Sequence, residues 1–508
     1  MNLWQALEAS AEGADRRVFL AGSLGGGATR AELLAMARRL IAAFRHWGVT
    51  AGDRVAVLAS ASKELVACQW ALAGLGAIQV PINTSWRGLL LADLLRDTEP
   101  RLIVASVDQA EKLDDPHVHA GWRAPLLMIG EAVAAPTAAR YAWQEALSFA
   151  PQEAAPVASH APLVILFTSG TTGRSKGVVL SHRWGIDYSL RANAALGIEP
   201  GDRHYGFLPL FHIAGQYAHV VGAALAGASV ALCEPFRASS FWQEVETHGC
   251  TAAVLMSSMV AAVRASYPAT GSPLRKLHLI PLPPDFVALG KKFACHISTN
   301  YGSTEASIPL MNRSPTDARS CGTLCEGYEA RIVDEWDQAL PDGTAGELVL
   351  RPAQPWTVMS EYWGRPEATS AAWRNGWLHT GDIFVRRADQ HFEFVDRAKD
   401  AIRRKGENIS TFELEMLACL HPEVEEAAAV GIDTDAQDQE VALFYVSKSP
   451  SPLAPSRLVE HLEAVAPRFM VPRYLCAMAS LPRTDTGKVQ KAQLRGVGPA
   501  SLWDRRER

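Results

Sequence analysis

Short apolar runs alternate with stretches of helical periodicity through the first third of the chain. Val55-Ala56-Val57-Leu58 follows Gly52-Asp53-Arg54 and predicts a buried strand. Leu65–Leu72 carries apolar residues at helical spacing, and Ala77-Ile78-Gln79-Val80-Pro81 predicts the next strand. A second helix over Leu89–Arg96 leads into Leu102-Ile103-Val104-Ala105, a third run of the same kind. Strand and helix in this alternation predict a parallel sheet covered by helices. Glu131 to Pro162 is rich in Ala and Pro with weak periodicity and predicts a surface connection; Leu163–Phe167 then predicts another buried strand. Glu347-Leu348-Val349-Leu350 and the alternation Phe392-Glu393-Phe394-Val395 predict an antiparallel portion, expected as a small β-barrel-like part. From Phe412 the pattern turns to compact α+β, with a helix over Phe412–Leu420 and strands near Ala427–Gly431 and Val441–Val446. The expected class is α/β (α+β overall). A large N-terminal domain of parallel and mixed sheets covers residues 1–397, and a small α+β C-terminal domain covers 398–508, with the boundary at Asp396–Asp400.

One stretch tests whether the chain enters a membrane. Tyr205 to Cys233 holds no Asp, Glu, Lys or Arg and is long enough to cross a bilayer. Pro209, Gln216, His219 and Ser229 dilute it, and Ala and Gly outnumber Leu, Ile and Phe, so an Ala-rich buried helix followed by a strand over Ala228–Cys233 is expected instead of a span. The N-terminus carries Glu8 early and has no basic start with an apolar run, which argues against a secretory signal. Over 508 residues, Lys+Arg 49 against Asp+Glu 54 leaves a net charge of −5. That balance gives no overall pull toward nucleic acid or anionic lipid, so an anionic ligand needs a local basic site. The 8 cysteines are scattered, as expected of a reduced, cytoplasmic protein. Cys321 and Cys325 form the one close pair, with no second Cys/His pair near enough to complete a zinc tetrahedron.

Directly after the predicted strand Leu163–Phe167 comes Thr168-Ser169-Gly170-Thr171-Thr172-Gly173-Arg174-Ser175-Lys176-Gly177. Glycines let successive N–H groups converge on an anion, hydroxyls add donors, and Arg174 and Lys176 add charge, a combination suited to a polyphosphate. It is not a Walker A loop, because Lys176 precedes Gly177 instead of following the second glycine. Taken alone, it also fits a flexible polar surface loop. Asn300-Tyr301-Gly302-Ser303-Thr304-Glu305 sets an aromatic face, a turn, a hydroxyl and a carboxylate together. Tyr301 suits stacking on a purine and Glu305 suits Mg²⁺, although a helix N-terminus capped by Thr304 fits equally.

The string Phe167–Gly177 resembles the signature of the adenylate-forming superfamily, which comprises acyl-CoA synthetases, peptide-synthetase adenylation domains and beetle luciferases. Four further motifs follow in the family's order, as far as Lys488. The resemblance implies that Thr168, Ser169, Gly170, Thr171, Thr172, Gly173 and Lys176 cradle the phosphates of ATP. It implies that Asn300, Tyr301 and Gly302 meet the nucleotide, with Tyr301 stacking on adenine. Thr304 contacts phosphate and Glu305 binds Mg²⁺. In Trp377-Leu378-His379-Thr380-Gly381-Asp382 the final carboxylate binds ribose; in Asp396-Arg397-Ala398-Lys399-Asp400, Arg397 contacts ribose or phosphate and Lys399 is the hinge of a mobile C-terminal domain. Pro482-Arg483-Thr484-Asp485-Thr486-Gly487-Lys488 supplies the catalytic lysine of adenylation, Lys488. Arg403-Arg404-Lys405-Gly406 faces coenzyme A: Gly406 lets a pantetheine chain pass, and the basic trio meets CoA phosphates. Two departures are visible. Ser175 replaces the usual proline, and Leu279-Ile280-Pro281-Leu282-Pro283-Pro284 replaces a Gly-Ala-Pro segment that lines adenine.

The implied function is an AMP-forming acid–CoA ligase using ATP, Mg²⁺ and coenzyme A, with domain rotation between half-reactions. Leu208-Pro209-Leu210-Phe211-His212-Ile213-Ala214-Gly215 bears on the acid. Amino-acid-activating relatives carry an Asp here for the substrate ammonium; this chain has none, and an unpaired ammonium in an apolar pocket costs several kcal/mol. His212 matches the position at the junction of acyl group and pantetheine and counts among the expected catalytic residues with Thr304, Glu305 and Lys488. Phe241-Trp242-Gln243-Glu244-Val245 and Arg403–Ser410 are similar to the crotonobetaine/carnitine-CoA ligase branch, without defining the acid. The alternatives are an acyl-AMP ligase that loads a carrier protein and a non-catalytic homologue. The expected partners are small molecules, neither nucleic acid nor membrane, and a homodimer is left open.

Overall fold

Short runs of Val, Ile, Leu and Ala form the strands of two sheets, seen in a computed structural model. It describes residues 1–12, 17–119, 124–130, 140–168, 175–264, 266–268, 271–283, 285–397, 402–404, 407–409, 411–434, 439–449, 451–482, 489 and 491–507. The chain forms two units. The larger comprises Met1–Thr84, Ala92–Leu166 and Gly177–Asp396; the smaller comprises Ser85–Leu91, Phe167–Lys176 and Arg397–Arg508.

The first sheet runs in the order Glu361–Tyr362, Lys176–Ser181, Pro162–Thr168, Ile78–Pro81, Arg54–Leu58, Leu102–Ser106, Leu126–Ile129, Arg140–Ala142. Its central pairs are parallel. Such strands are buried on both faces, which is why they read as unbroken apolar runs. Helix Lys63–Leu75 joins two of them; the Ser62 hydroxyl caps its start by accepting from the Leu65 N–H at 3.1 Å, and Gly76, at φ +76°, ends it. Every residue from Leu65 to Leu75 is buried, so this helix lies inside the fold. The Ala- and Pro-rich connection is more ordered than its sequence predicts: it includes the strand Arg140–Ala142 and the helix Trp143–Ser148, anchored by buried Trp143 and Ala146. Two core residues in six are too few to produce a readable period.

The second sheet changes character along its width. Val18–Ala21, Ser229–Leu232, Arg203–Gly206, Ala252–Met256, Lys276–Ile280 and His296–Ser303 pair in parallel. From His296–Ser303 onward the pairing is antiparallel, through Ser307–Asn312, Ser320–Leu324, Phe392–Arg397, Trp377–Arg386, Ala345–Pro352 and Tyr328–Val333. The expected barrel-like part is this antiparallel wing. It is an open extension of the large sheet, since among the described residues Tyr328–Val333 pairs on one side only and closure needs its first and last strands joined. One core, from Leu3, Trp4 and Phe44 through Val55 and Trp184 to Leu310 and Leu350, unites both sheets.

The charge-free stretch forms a π-helix over Ala214–Val221, the helix Gly222–Ala226 and the strand Ser229–Leu232. Among the described residues no helix is long and apolar enough to cross a membrane. In the smaller unit Val424–Asp433, Gln439–Ser447, Tyr474–Met478 and Trp503–Asp504 form a mixed sheet, with helices Thr411–Cys419 and Pro455–Val465, an α+β arrangement.

Candidate active site

The strand His296–Ser303 lies where the large sheet changes from parallel to antiparallel, and Asn300-Tyr301-Gly302-Ser303 forms its C-terminal end. Ligands of open parallel sheets gather beyond such strand ends. The pairing slips between Tyr301 and Ser303. A Cβ on Gly302 would stand 2.5 Å from the Ser307 carbonyl oxygen, so only glycine lets the two strands approach there. Thr304, Glu305 and Ala306 make the turn of a hairpin, not a helix start. The Ala306 N–H donates to Ser303 Oγ at 3.0 Å, and the Tyr328 hydroxyl donates to the Ala306 carbonyl at 3.0 Å. Thr304 is buried in this turn.

Asp382 comes to Tyr301 from the strand Trp377–Arg386. That strand kinks at Gly381, φ +71°, whose N–H donates to Glu347 Oε1 at 2.9 Å. The other oxygen of Glu347 lies 2.9 Å from His379 Nδ1. Asp382 is itself held by an N–H bond to Thr380 Oγ1 at 3.2 Å, and the Thr380 hydroxyl donates to the Leu348 carbonyl at 2.7 Å. The result is a short bond from the Tyr301 hydroxyl to Asp382 Oδ2, 2.6 Å, with the Tyr301 ring set edge-on to Phe384 at 4.7 Å between centroids. A phenol fixed in this way offers a rigid aromatic surface beside a buried carboxylate.

Glu305 is held by Tyr362, whose hydroxyl donates to Oε1 at 3.0 Å, and through its own carbonyl, which accepts the Met359 N–H at 2.9 Å. Burial, and then the Glu305 charge, push the Tyr362 phenol pKa up, so it remains a donor. Among the described residues no three His, Cys, Asp or Glu side chains gather as a metal-binding group. A single carboxylate fits Mg²⁺, which takes one or two protein carboxylates and fills its octahedron with phosphate oxygens and water. His212 is exposed just before the π-helix, and its Nδ1 accepts the Ala214 N–H at 3.4 Å. Within that helix Gln216 Nε2 donates to Gln79 Oε1 at 2.7 Å, joining it to the first sheet.

In the smaller unit, Thr168 ends one strand and Lys176 begins another. The Ser175 N–H and hydroxyl both donate to Glu413 Oε1, each at 2.5 Å. Arg403 and Arg404 separate. On the strand Ile402–Arg404 neighbouring side chains point to opposite faces; Arg403 is exposed, and Arg404 is 5% exposed. Arg404 pairs with Glu440 at 2.8 Å and donates to the Phe469 and Val471 carbonyls, both at 2.9 Å. The expectation of a basic trio facing CoA phosphates is therefore corrected: Arg404 is a buried structural cation. Ser169, Gly170, Thr171, Thr172, Gly173, Lys399, Lys405, Gly406 and Lys488 lie outside the described residues, as does the side chain of Arg397. Tyr362, Glu347, Phe384 and His278 support the site without belonging to any motif; the residues they hold stand far away in sequence, so no local spacing announces them.

Residues 7–363 match the family described as AMP-binding enzyme, and 413–488 match the AMP-binding enzyme C-terminal domain. The chain belongs to this family. It is 31% identical over 475 residues to a crotonobetaine/carnitine–CoA ligase of Salmonella paratyphi C, spanning 89% of this chain and 90% of that one. The corresponding ligase of Escherichia coli is 30% identical over 473 residues, with the same coverage. Among solved structures, an amide bond synthetase from Marinactinospora thermotolerans superposes with a TM-score of 0.83 at 24% identity, over 98% of this chain and 99% of that one. A double mutant of o-succinylbenzoate CoA synthetase from Bacillus subtilis does so with 0.83 at 23%, over the same shares. These two likenesses establish the fold.

Proposed function

We propose that the chain is an AMP-forming carboxylic acid–CoA ligase. The observation that carries this reading is the Tyr301–Asp382 bond at the strand junction, in a chain whose two parts both match AMP-binding enzymes. In the first half-reaction a carboxylate oxygen attacks the α-phosphorus of ATP and the bond to pyrophosphate breaks, leaving acyl-AMP. In the second, the CoA thiol loses its proton, its sulfur attacks the acyl carbon, and AMP departs.

The first step brings two anions together. Tyr301 stacks on adenine, Asp382 and Arg397 hold the ribose, Thr304 contacts phosphate, and Lys176 with its loop cradles the phosphates. Lys488 stands between carboxylate and α-phosphate and offsets their repulsion. Glu305, oriented by Tyr362, holds Mg²⁺, which supplies positive charge to the phosphate oxygens. The C-terminal domain, residues 398–508, turns about Lys399 between the steps, withdrawing Lys488 and bringing Arg403, Lys405 and Gly406 to CoA. His212 lies at the acyl–pantetheine junction. The acid is not an α-amino acid, since nothing charged within Tyr205–Cys233 pairs its ammonium. The relatives' crotonobetaine and carnitine are acids to include first in a screen. The protein is read as cytoplasmic.

The test is AMP and pyrophosphate release across a panel of carboxylic acids, with and without CoA; no CoA-dependent release for any acid removes the reading. Lys488→Ala is expected to abolish acyl-AMP formation while sparing thioester formation from supplied acyl-AMP. Equal loss of both half-reactions in a folded variant refutes the two-conformation scheme.

A further inference from the structure

The inference rests on the ligase reading and concerns how the nucleotide base is chosen. His278 lies in the strand Lys276–Ile280, opposite Ser298 in parallel register. Ser298 and Asn300, two residues apart, share one face of their strand. The His278 ring bridges them, with Nδ1 2.8 Å from Ser298 Oγ and Nε2 2.5 Å from Asn300 Oδ1. An amide oxygen only accepts, so Nε2 carries the ring proton and Nδ1 accepts from the Ser298 hydroxyl. His278 is 1% exposed, and burial pushes its pKa down to about 4, which keeps the ring neutral in this tautomer near pH 7. With Oδ1 engaged, Asn300 turns its Nδ2 toward the turn: that atom lies 3.4 Å from where a Cβ on Gly302 would stand. Thr299 between them is tied to the same neighbour, its hydroxyl donating to the Leu279 carbonyl at 2.6 Å.

We infer that His278 is a positioning residue for base recognition: it orients the Asn300 amide so that an N–H donor stands beside the Tyr301 ring and selects a hydrogen-bond acceptor on the adenine edge. Inosine nucleotides are the discriminating probe, because they carry N–H where adenine has the N1 acceptor and a carbonyl where adenine has an amino group.

The experiment measures pyrophosphate release with ATP and ITP for an acid the wild type accepts, and calorimetric binding of AMP and IMP, which needs no turnover. His278→Leu is expected to raise KM for ATP about tenfold with kcat nearly unchanged, and to erase most of the ATP-over-ITP preference, because the amide is free to turn. His278→Gln, which keeps a donor near the Nε2 position, is expected to restore both. Asn300→Asp replaces the amide donor with an oxygen at constant shape; it is expected to lose the preference whatever His278→Leu does to folding. An unchanged base preference in Asn300→Asp, or His278→Gln as impaired as a folded His278→Leu, overturns the inference. A wild type that prefers AMP over IMP but releases no pyrophosphate with any acid refutes the ligase reading and leaves base recognition standing.

Discussion

Tyr301 and Asp382 stand 81 positions apart and meet through a single 2.6 Å bond, so each can be removed with little change in volume. Tyr301→Phe deletes the donor and keeps the ring. A hydrogen bond to a charged group contributes about 1.5–3 kcal/mol, and leaving the buried Asp382 without this partner makes the upper part of that range the better guide. The expected outcome is a rise of tenfold or more in KM for ATP, read from initial rates, with KM for CoA unchanged; an unaltered ATP dependence removes Tyr301 from the nucleotide site. The Tyr362–Glu305 bond gives a second case. Tyr362→Phe frees the carboxylate to rotate, and the Mg²⁺ concentration for half-maximal rate is expected to rise several-fold, measured by titration at saturating ATP. How much of this was legible beforehand differs residue by residue. Tyr301, Glu305 and Asp382 stand inside dense strings of Gly, hydroxyl and acid, which sequence displays. Tyr362 and His278 each sit among apolar neighbours and look like core, because their purpose is set by a partner 57 or 22 residues away.

The two-stranded hairpin Ile402–Arg404 with Glu407–Ile409 shows what strand alternation does to a basic run. Three consecutive cations read in sequence as one charged surface, yet a period of two puts Arg403 outward and Arg404 inward, where Glu440 and two carbonyls receive it. Knowing which Arg turned inward required Glu440, an acid lying in a different strand. Different losses are therefore expected from the two. Arg403→Ala is expected to raise KM for CoA while leaving KM for ATP and the thermal midpoint in place. Arg404→Ala leaves Glu440 with the half-exposed Arg506 as its other cation, and removing one partner of a buried pair costs about 3–5 kcal/mol, so a large fall in stability by denaturant titration is expected. If Arg404→Ala is as stable as wild type and weakens CoA instead, the hairpin assignment is wrong. The parallel strands of the first sheet were readable from their apolar runs alone. The antiparallel wing was not readable as to closure, because pairing between Tyr328–Val333 and any other edge is a long-range matter on which strand composition is silent.

Four imidazoles are shut inside the larger unit, and their protonation links the whole fold to pH. Burial pushes His182, His204 and His278 down to about 4, and pushes His219 well below its ordinary range with help from the neighbouring His204 and His278. His204 and His219 lie 5.1 Å apart, ring to ring, so protonating one opposes protonating the other, while Asp202 and Lys276 act on His204 in opposite senses. The unfolded chain titrates these groups near 6.5. Between about 6.5 and about 4 it therefore binds protons that the folded chain refuses, and stability rises with pH across that window. The contribution is complete above about 6.5 and is lost as pH falls toward about 4. Each histidine sets a slope of up to about 1.4 kcal/mol per pH unit, and coupling within the His204–His219 pair makes their joint titration broader than two independent steps. Urea unfolding at pH 7, 6 and 5 is expected to show a steep loss of stability. His204→Leu, which replaces a buried neutral ring with an apolar side chain, is expected to flatten that loss by up to one histidine's slope. A variant whose stability falls with pH as steeply as the wild type's would mean that His204 takes up its proton inside the folded protein, and that the polar row from His204 to His278 is open to water.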